Sequence, residues 1–296
     1  MKGTPEYLFY TRDFISPLLF PQKASWRGRR ILDLSGDDEC RARLKEQFPE
    51  AEVEQGSTAA VLTSGKGGRG PYDYIVGLRL GAAAAEPNDV LSPLLEMSAP
   101  GGIIAASGYG YAGYYAPSMI AAVAHKLAEG KKRNVLCDVV RRLLKELPHS
   151  HPLRLREEFF KRFESDEFSA VDKLLDLDPT KIFSVSRLLE LVEQRGAGWV
   201  DWLVPGWYDP GDQVKNEDVS AVLRALPETK QWRVAELVTA SPPEHHFFLC
   251  RAGVQPIRIP WDSAGIVLWR PLRLPLYDWS DLKRADDGQY TLHPLK

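Results

Sequence analysis

Residues 29–39 read RRILDLSGDDE. Ile31, Leu32 and Leu34 make an apolar run too short for a helix, and Gly36 ends it, so the run predicts a buried strand. Residues 37–48, DDECRARLKEQF, follow as a predicted helix. Its first turn is acidic, which suits the positive end of a helix dipole. A buried strand passing through a glycine turn into a helix is the opening unit of an α/β sheet.

Working outward, AEVEQG (51–56) predicts a second strand and YDYIVGLRL (72–80), bounded by Pro71 and Gly81, a stronger one. Residues 88–98 read as a short helix. Pro100, Gly101 and Gly102 read as a sharp turn into the strand IIAAS. Met119, Ile120, Val123 and Leu127 share one face of a helix over 117–127. Leu136, Val139, Val140, Leu143 and Leu144 repeat the pattern over 135–147. The charged and aromatic span 150–180 reads as an insertion. Ser184 is placed to N-cap a helix bearing Val185, Leu188, Leu189 and Val192, with Gly196 at its end. WVDWL (199–203) and HHFFLC (245–250) read as strands, 205–227 as loop with a short helix, and 233–239 as helical or extended. Strands alternate with helices, and no internal repeat is present. The pattern predicts an α/β sheet with helices on both faces.

The chain has 296 residues, enough for one large domain or two modest ones. Its 8 Trp, 11 Tyr and 11 Phe exclude a wholly disordered chain. Lys and Arg total 38 against 40 Asp and Glu, so no basic excess points to nucleic acid. Cys40, Cys137 and Cys250 form no CxxC pair, which argues against a disulfide scaffold or a cysteine zinc site. No apolar run is long enough for a membrane span. The N-terminus shows no apolar signal core, so a cytoplasmic setting is expected. Beyond Gly253, Pro256, Pro260, Pro271 and Pro275 alternate with Trp261, Trp269 and Trp279. That pattern opposes regular helix and predicts a tail packed on the body or on a partner. The expected organisation is an N-terminal arm (1–27), an α/β domain (28–251) with insertions near 148–180 and 205–235, and a C-terminal extension (252–296).

Several segments together resemble class I S-adenosylmethionine-dependent methyltransferases. ILDLSGDDE lies where that family has its first strand and glycine-rich loop, and YDYIVGLRL resembles its fourth strand. LLEMSAPGGIIAASGYG resembles the helix, turn and fifth strand. The strand runs into Tyr109–Gly113, as in a bacterial subgroup. VDKLLDLDPTKIFSVSRLLELVEQRGAGWVDWL and ELVTASPPEHHFFLC resemble that subgroup's later segments. The resemblance implies a Rossmann-like sheet of seven strands with the last antiparallel. It also implies a cofactor lying across the carboxyl ends of the first strands.

Two departures stand out. The family's loop carries three glycines, which let the backbone approach the cofactor; here only Gly36 remains, followed by Asp37, Asp38 and Glu39. The span from Asp33 to Asp73 is also short for the family, so one strand-helix unit is expected to be missing or shortened. If AEVEQG is the second strand, Glu54 is the nearest candidate for the acid that holds the ribose hydroxyls. The cofactor candidates are therefore Asp33, Gly36 and Glu54. The expected function is a methyltransferase-like protein that has lost catalysis and serves as a binding or accessory subunit. Its partner would be another protein, an active enzyme of similar fold among the candidates, or a second copy. One alternative is an active methyltransferase on a small molecule or peptide. The other is a binding module for a different small ligand.

Tyr109, Tyr111, Tyr114 and Tyr115 follow a strand end, where open sheets bind ligands, and read as a substrate or partner surface or as packing. Trp261, Trp269, Arg273 and Trp279 read the same way, as a partner surface or as core. His149, His151, His245 and His246 carry no metal-ligand or triad spacing. The acids from Asp33 to Glu39 do not follow a calcium loop, so no metal is expected. SGKGGRG (64–70) lacks the frame of a phosphate-binding loop and reads as a solvated turn.

Overall fold

The strand predicted at Ile31 forms, and Ile31, Leu32 and Asp33 are fully buried in it. The computed structural model describes residues 9–10, 25–36, 38–58, 60–61, 70–77, 87–127, 130–154, 174–175, 182–203, 205–210, 214–239, 244–251, 283–284 and 290–291. The strands of the main sheet are β1 (Arg30–Asp33), β2 (Glu52–Gln55), β3 (Tyr72–Gly77), β4 (Ser98–Tyr109), β5 (Ala197–Trp202) and β6 (Glu244–Arg251). They form one six-stranded sheet in the order β2-β1-β3-β4-β6-β5. The first four are parallel, and β6 runs antiparallel between β4 and β5. A separate two-residue ladder joins β7 (Lys283–Arg284) to β8 (Tyr290–Thr291).

The resemblance implied seven strands. Among the described residues none lies outside β2, which is the sheet edge. The chain length explains this. Residues 56–71 must carry the chain from β2 across β1 to β3, and a parallel crossover needs about a dozen residues. That requirement takes up a span of this length, in keeping with the missing or shortened strand-helix unit expected between Asp33 and Asp73.

Alternation along the strands sorts side chains to two faces. Leu32, Ile75, Ile104, Phe247 and Leu249 pack under α2 (Pro87–Met97), α5 (Val185–Gln194) and α7 (Glu228–Thr239). Ile31, Tyr74, Val76, Ala105 and Phe248 pack on the opposite face, under α1 (Asp38–Gln47) together with Phe9, Tyr10 and Trp26. Phe9, Tyr10 and Trp26 of the arm thus belong to the core. Ser184 caps α5 as expected, its hydroxyl accepting from the Arg187 amide at 3.2 Å. An unforeseen cap, Asn216, starts α6 (Glu217–Arg224).

Two local readings are corrected. Pro100, Gly101 and Gly102 do not separate helix from strand; they sit inside β4. Tyr72 pairs with Ser98 and Tyr74 with Ile103, so the extra residues bulge out of the ladder. Gly101 takes φ +79° there. A Cβ on Gly102 would lie 2.8 Å from the Tyr72 carbonyl oxygen and 3.0 Å from that of Ala99. Backbone atoms cannot swing aside, so Gly102→Ala is expected to destabilise the fold by about 1–3 kcal/mol. Urea denaturation checks this, and an unchanged midpoint would show that the bulge is not fixed.

The second correction concerns α3 (Tyr111–Leu127), which starts earlier than expected and holds Pro117 inside it. It pairs with α4 (Arg133–Glu146) through Ala116, Ile120, Ala121 and Ala124 against Cys137, Val140 and Leu144. Of the four residues expected on its core face only Ile120 is buried; Met119, Val123 and Leu127 face out. Small residues let the two helices approach, so the larger ones lie opposite.

Candidate functional site

The carboxyl ends of β1, β3 and β4 bring Asp33–Gly36, Gly77 and Tyr109 to one edge of the sheet. Asp33 closes β1 with a fully buried carboxyl. Its Oδ1 accepts from the Ser35 amide at 3.0 Å, an Asx turn that bends the chain toward α1. Gly36 takes φ +73°, and a Cβ there would meet nothing within 4 Å. Asp38 is exposed and sits 3.4 Å from Arg41 in the same helix, so it serves the helix dipole. Asp37 lies outside the described residues.

The N-terminal arm reaches this edge. Tyr74 donates its hydroxyl to the Phe9 carbonyl at 2.8 Å, which seats Phe9 edge-on against Phe248. Tyr10 follows, fully buried. Burial, with the Asp33 carboxylate and Cys40 next in effect, pushes its hydroxyl far above the ordinary phenol value. Burial and then Asp33 do the same to Tyr74. Two neutral phenols therefore stand near one buried carboxyl. Tyr10 sits in no motif spacing that ties it to Asp33, because its approach depends on the path of the arm.

The end of β2 differs from what the resemblance implied. Gln55, paired in register with Asp33, occupies it. Arg41 donates to the Gln55 side-chain oxygen at 2.8 Å. Glu54, one residue earlier, accepts from the Tyr72 hydroxyl at 2.8 Å and from Arg30 at 3.1 Å. Arg30 and Tyr72 begin β1 and β3, so the Glu54 carboxylate is drawn toward the amino ends of the strands. The Arg30 guanidinium also covers the Tyr72 ring at 4.7 Å.

The four tyrosines beyond β4 divide into two pairs. Tyr109 and Tyr114, their ring centroids 4.5 Å apart and the rings tilted by 47°, pack against the α3–α4 cluster, and Tyr114 donates to Glu244 at 3.1 Å. Tyr111 and Tyr115 lie 4.8 Å apart on the outer face. Trp261, Trp269, Arg273 and Trp279 lie outside the described residues. His149 is exposed, and His151 accepts from the Leu153 amide at 3.1 Å. Arg154 closes the end of α4, donating to the carbonyls of Leu144, Lys145 and Leu147.

A polar cluster that sequence reasoning missed surrounds His245. Its Nδ1 lies 2.7 Å from the Tyr208 hydroxyl and its Nε2 3.1 Å from the Phe183 carbonyl oxygen. Burial, then Glu236, pushes the Tyr208 phenol well above its ordinary value, so it stays a donor. The Phe183 oxygen only accepts, so the geometry assigns a proton to Nε2. Consecutive strand residues point to opposite faces, so His246 joins Phe9 on the other side at 6.0 Å. Among the described residues no group of three His, Cys, Asp or Glu side chains is arranged to hold a metal. No described helix is long and apolar enough to cross a membrane.

No protein-family model matches the chain. Among solved structures it is similar to PKMT2 from Rickettsia typhi at 14% identity, with TM-score 0.63, over 87% of this chain and 55% of that one. PKMT2 in complex with AdoHcy matches at 15% identity and TM-score 0.53, over 84% of this chain and 48% of that one. The chain thus spans about half the length of the PKMT2 chains it matches. The plantazolicin methyltransferase BpumL in complex with SAH overlaps at 13% identity and TM-score 0.40, over 84% of this chain and 85% of that one, too loosely to carry an argument. The strand order, the antiparallel β6 and the likeness to PKMT2 together give the chain a class I S-adenosylmethionine-dependent methyltransferase-like fold.

Proposed function

We propose that this chain uses a methyltransferase-like frame to bind a protein partner and does not transfer methyl groups by itself. The observation that carries this reading is the end of β2. A ribose diol is best held there by a carboxylate, which accepts from both hydroxyls. Gln55 stands in that place with its oxygen already accepting from Arg41. The Glu54 carboxylate is engaged with Tyr72 and Arg30 at the other end of the strands. The donor set therefore does not fit S-adenosylmethionine as the resemblance would seat it. An accessory subunit for an active enzyme of similar fold is the role most consistent with a retained frame and an altered site.

A second reading keeps the enzyme. It rests on Asp33, a buried carboxyl beside the open space at Gly36, in a fold whose solved likeness holds AdoHcy. Catalysis of methyl transfer is largely alignment, so this reading needs no further acid or base.

Calorimetric titration with S-adenosylmethionine and S-adenosylhomocysteine separates the two. No saturable heat is expected below about 1 mM, and no thermal shift. A ligand at 100 times its Kd would stabilise the fold by about 2.7 kcal/mol. Micromolar binding with such a shift would overturn the proposal and establish the second reading's first requirement.

A further inference from the structure

We propose that the outer face of α3, with the basic turn that follows it, docks on the surface of an anionic lipid bilayer. The proposal stands whether or not the crevice takes a cofactor. Tyr111, Tyr115, Met119, Val123 and Leu127 recur every fourth residue, and each exposes 41–63% of its surface. Every step of four residues advances about 40° beyond a full turn, so these side chains sweep an arc of about 160° over about 24 Å of helix. Ala116, Ile120, Ala121 and Ala124 close the other side of α3 against α4. Among the described side chains of α3, Lys126 alone is charged. A contiguous apolar surface of this kind marks a site of association with protein or membrane.

Two features single out a bilayer as the occupant. The first is the width of the arc. A second helix packs along one ridge and its neighbours, and would leave one end of the arc in water. A fluid apolar phase closes around a convex face, and an interfacial helix sinks its apolar side about 5–10 Å into that phase. The second feature is charge. Residues 126–133 read KLAEGKKR, with Glu129 the one acid. Gly130 takes φ +73° where the chain turns from α3 into α4. Lys126, Lys131, Lys132 and Arg133 therefore gather at one tip, and all four are exposed. The nearest acid on α4, Asp138, lies more than a turn beyond Arg133 and stands 4.0 Å from Arg141. Lys126 falls inside the arc, where its apolar stem can lie along the ridge while its ammonium reaches the headgroups. Tyr111 and Tyr115, at the far end, offer a ring to the apolar phase and a hydroxyl to water. An RNA or an acidic peptide would use the tip and leave the ridge uncovered.

The full-length chain is tested by flotation with vesicles of phosphatidylcholine alone and of phosphatidylcholine mixed with phosphatidylglycerol, in about 0.1 M salt. It is expected to float with the mixed vesicles and to stay behind with the neutral ones. Each basic residue near the surface contributes about a fivefold gain in affinity, so Lys131→Glu combined with Lys132→Glu is expected to weaken binding by about 25-fold or more. Met119→Asp sets a charge in the middle of the ridge and is expected to weaken it by at least about tenfold. Both variants change exposed side chains and are expected to keep the wild-type circular dichroism. Insertion is read at one site. Cys40, Cys137 and Cys250 are all buried, so Val123→Cys can be labelled selectively with a polarity-sensitive dye. Its emission is expected to move to the blue on the mixed vesicles, whereas a dye at Val222→Cys, exposed on α6, is expected not to shift. A wild-type chain that stays off the mixed vesicles overturns the proposal, including one that self-associates or takes up an RNA oligonucleotide instead. So does equal binding to both vesicles, binding that either variant leaves unchanged, or a dye at Val123 that shifts no more than the dye at Val222.

Discussion

Trp202→Ala is expected to lower the unfolding free energy by about 3–5 kcal/mol, a large share of the roughly 5–15 kcal/mol typical of a domain. Trp202 ends β5, is 2% exposed, and stacks on Tyr208 at 3.6 Å with the rings 14° from parallel. Trp232 meets it edge-on at 5.5 Å from α7, and Phe247 at 6.2 Å from the neighbouring strand. Removal of the indole empties a space walled by rings from three separate segments. Tyr208 is held by its contact with His245, and Phe247 by the sheet, so the walls cannot close in. Trp202→Phe keeps much of the volume and is expected to cost about 1–2 kcal/mol. Guanidinium denaturation followed by far-ultraviolet circular dichroism measures both. If the alanine variant lost no more than the phenylalanine one, the aromatic cluster would be plastic and would not hold this edge of the sheet.

That cluster shows where sequence reading reached its limit. The strand at Ile31, the helix after it and the Ser184 cap were legible because each is set by residues within one or two turns of the chain. Asp33 was legible as a strand-end acid for the same reason. Tyr208, Glu236, His245 and Phe183 are scattered along the chain, and only the antiparallel return of β6 brings them together. The amphipathic pattern of α3 was visible, but periodicity does not say which face is inside. Hydrophobic size favours the large residues for the core, whereas the close contact with α4 selects alanines. Glu54 is the acid nearest in sequence to the end of β2. Side-chain alternation gives Glu54 and Gln55 opposite directions, and the position facing Asp33 belongs to Gln55.

Glu236→Ala is expected to cost about 2–4 kcal/mol, and Glu236→Gln about 1 kcal/mol. The Glu236 Oε2 accepts from the buried amide of Val185 at 2.9 Å. That amide is one of the four donors a helix start leaves without a partner inside the helix. A carboxylate at this end also meets the positive pole of α5. The other oxygen stands 3.4 Å from Nε2 of His245, so one side chain from α7 ties α5 to β6. Alanine removes the acceptor, the charge and the tie together, in a place water does not reach. Glutamine keeps an oxygen for the Val185 amide but loses the charge and sets an amide NH2 in place of the oxygen that faces Nε2 of His245. Hydrogen exchange at Val185 supplies the local readout beside the denaturation midpoint. In the alanine variant its protection is expected to fall further than that of amides in the middle of β4, because the start of α5 would open without global unfolding. Equal losses in the two variants, with Val185 protection unchanged, would mean that the hydrogen bond contributes little. The edge of the sheet would then be held by its aromatic rings alone.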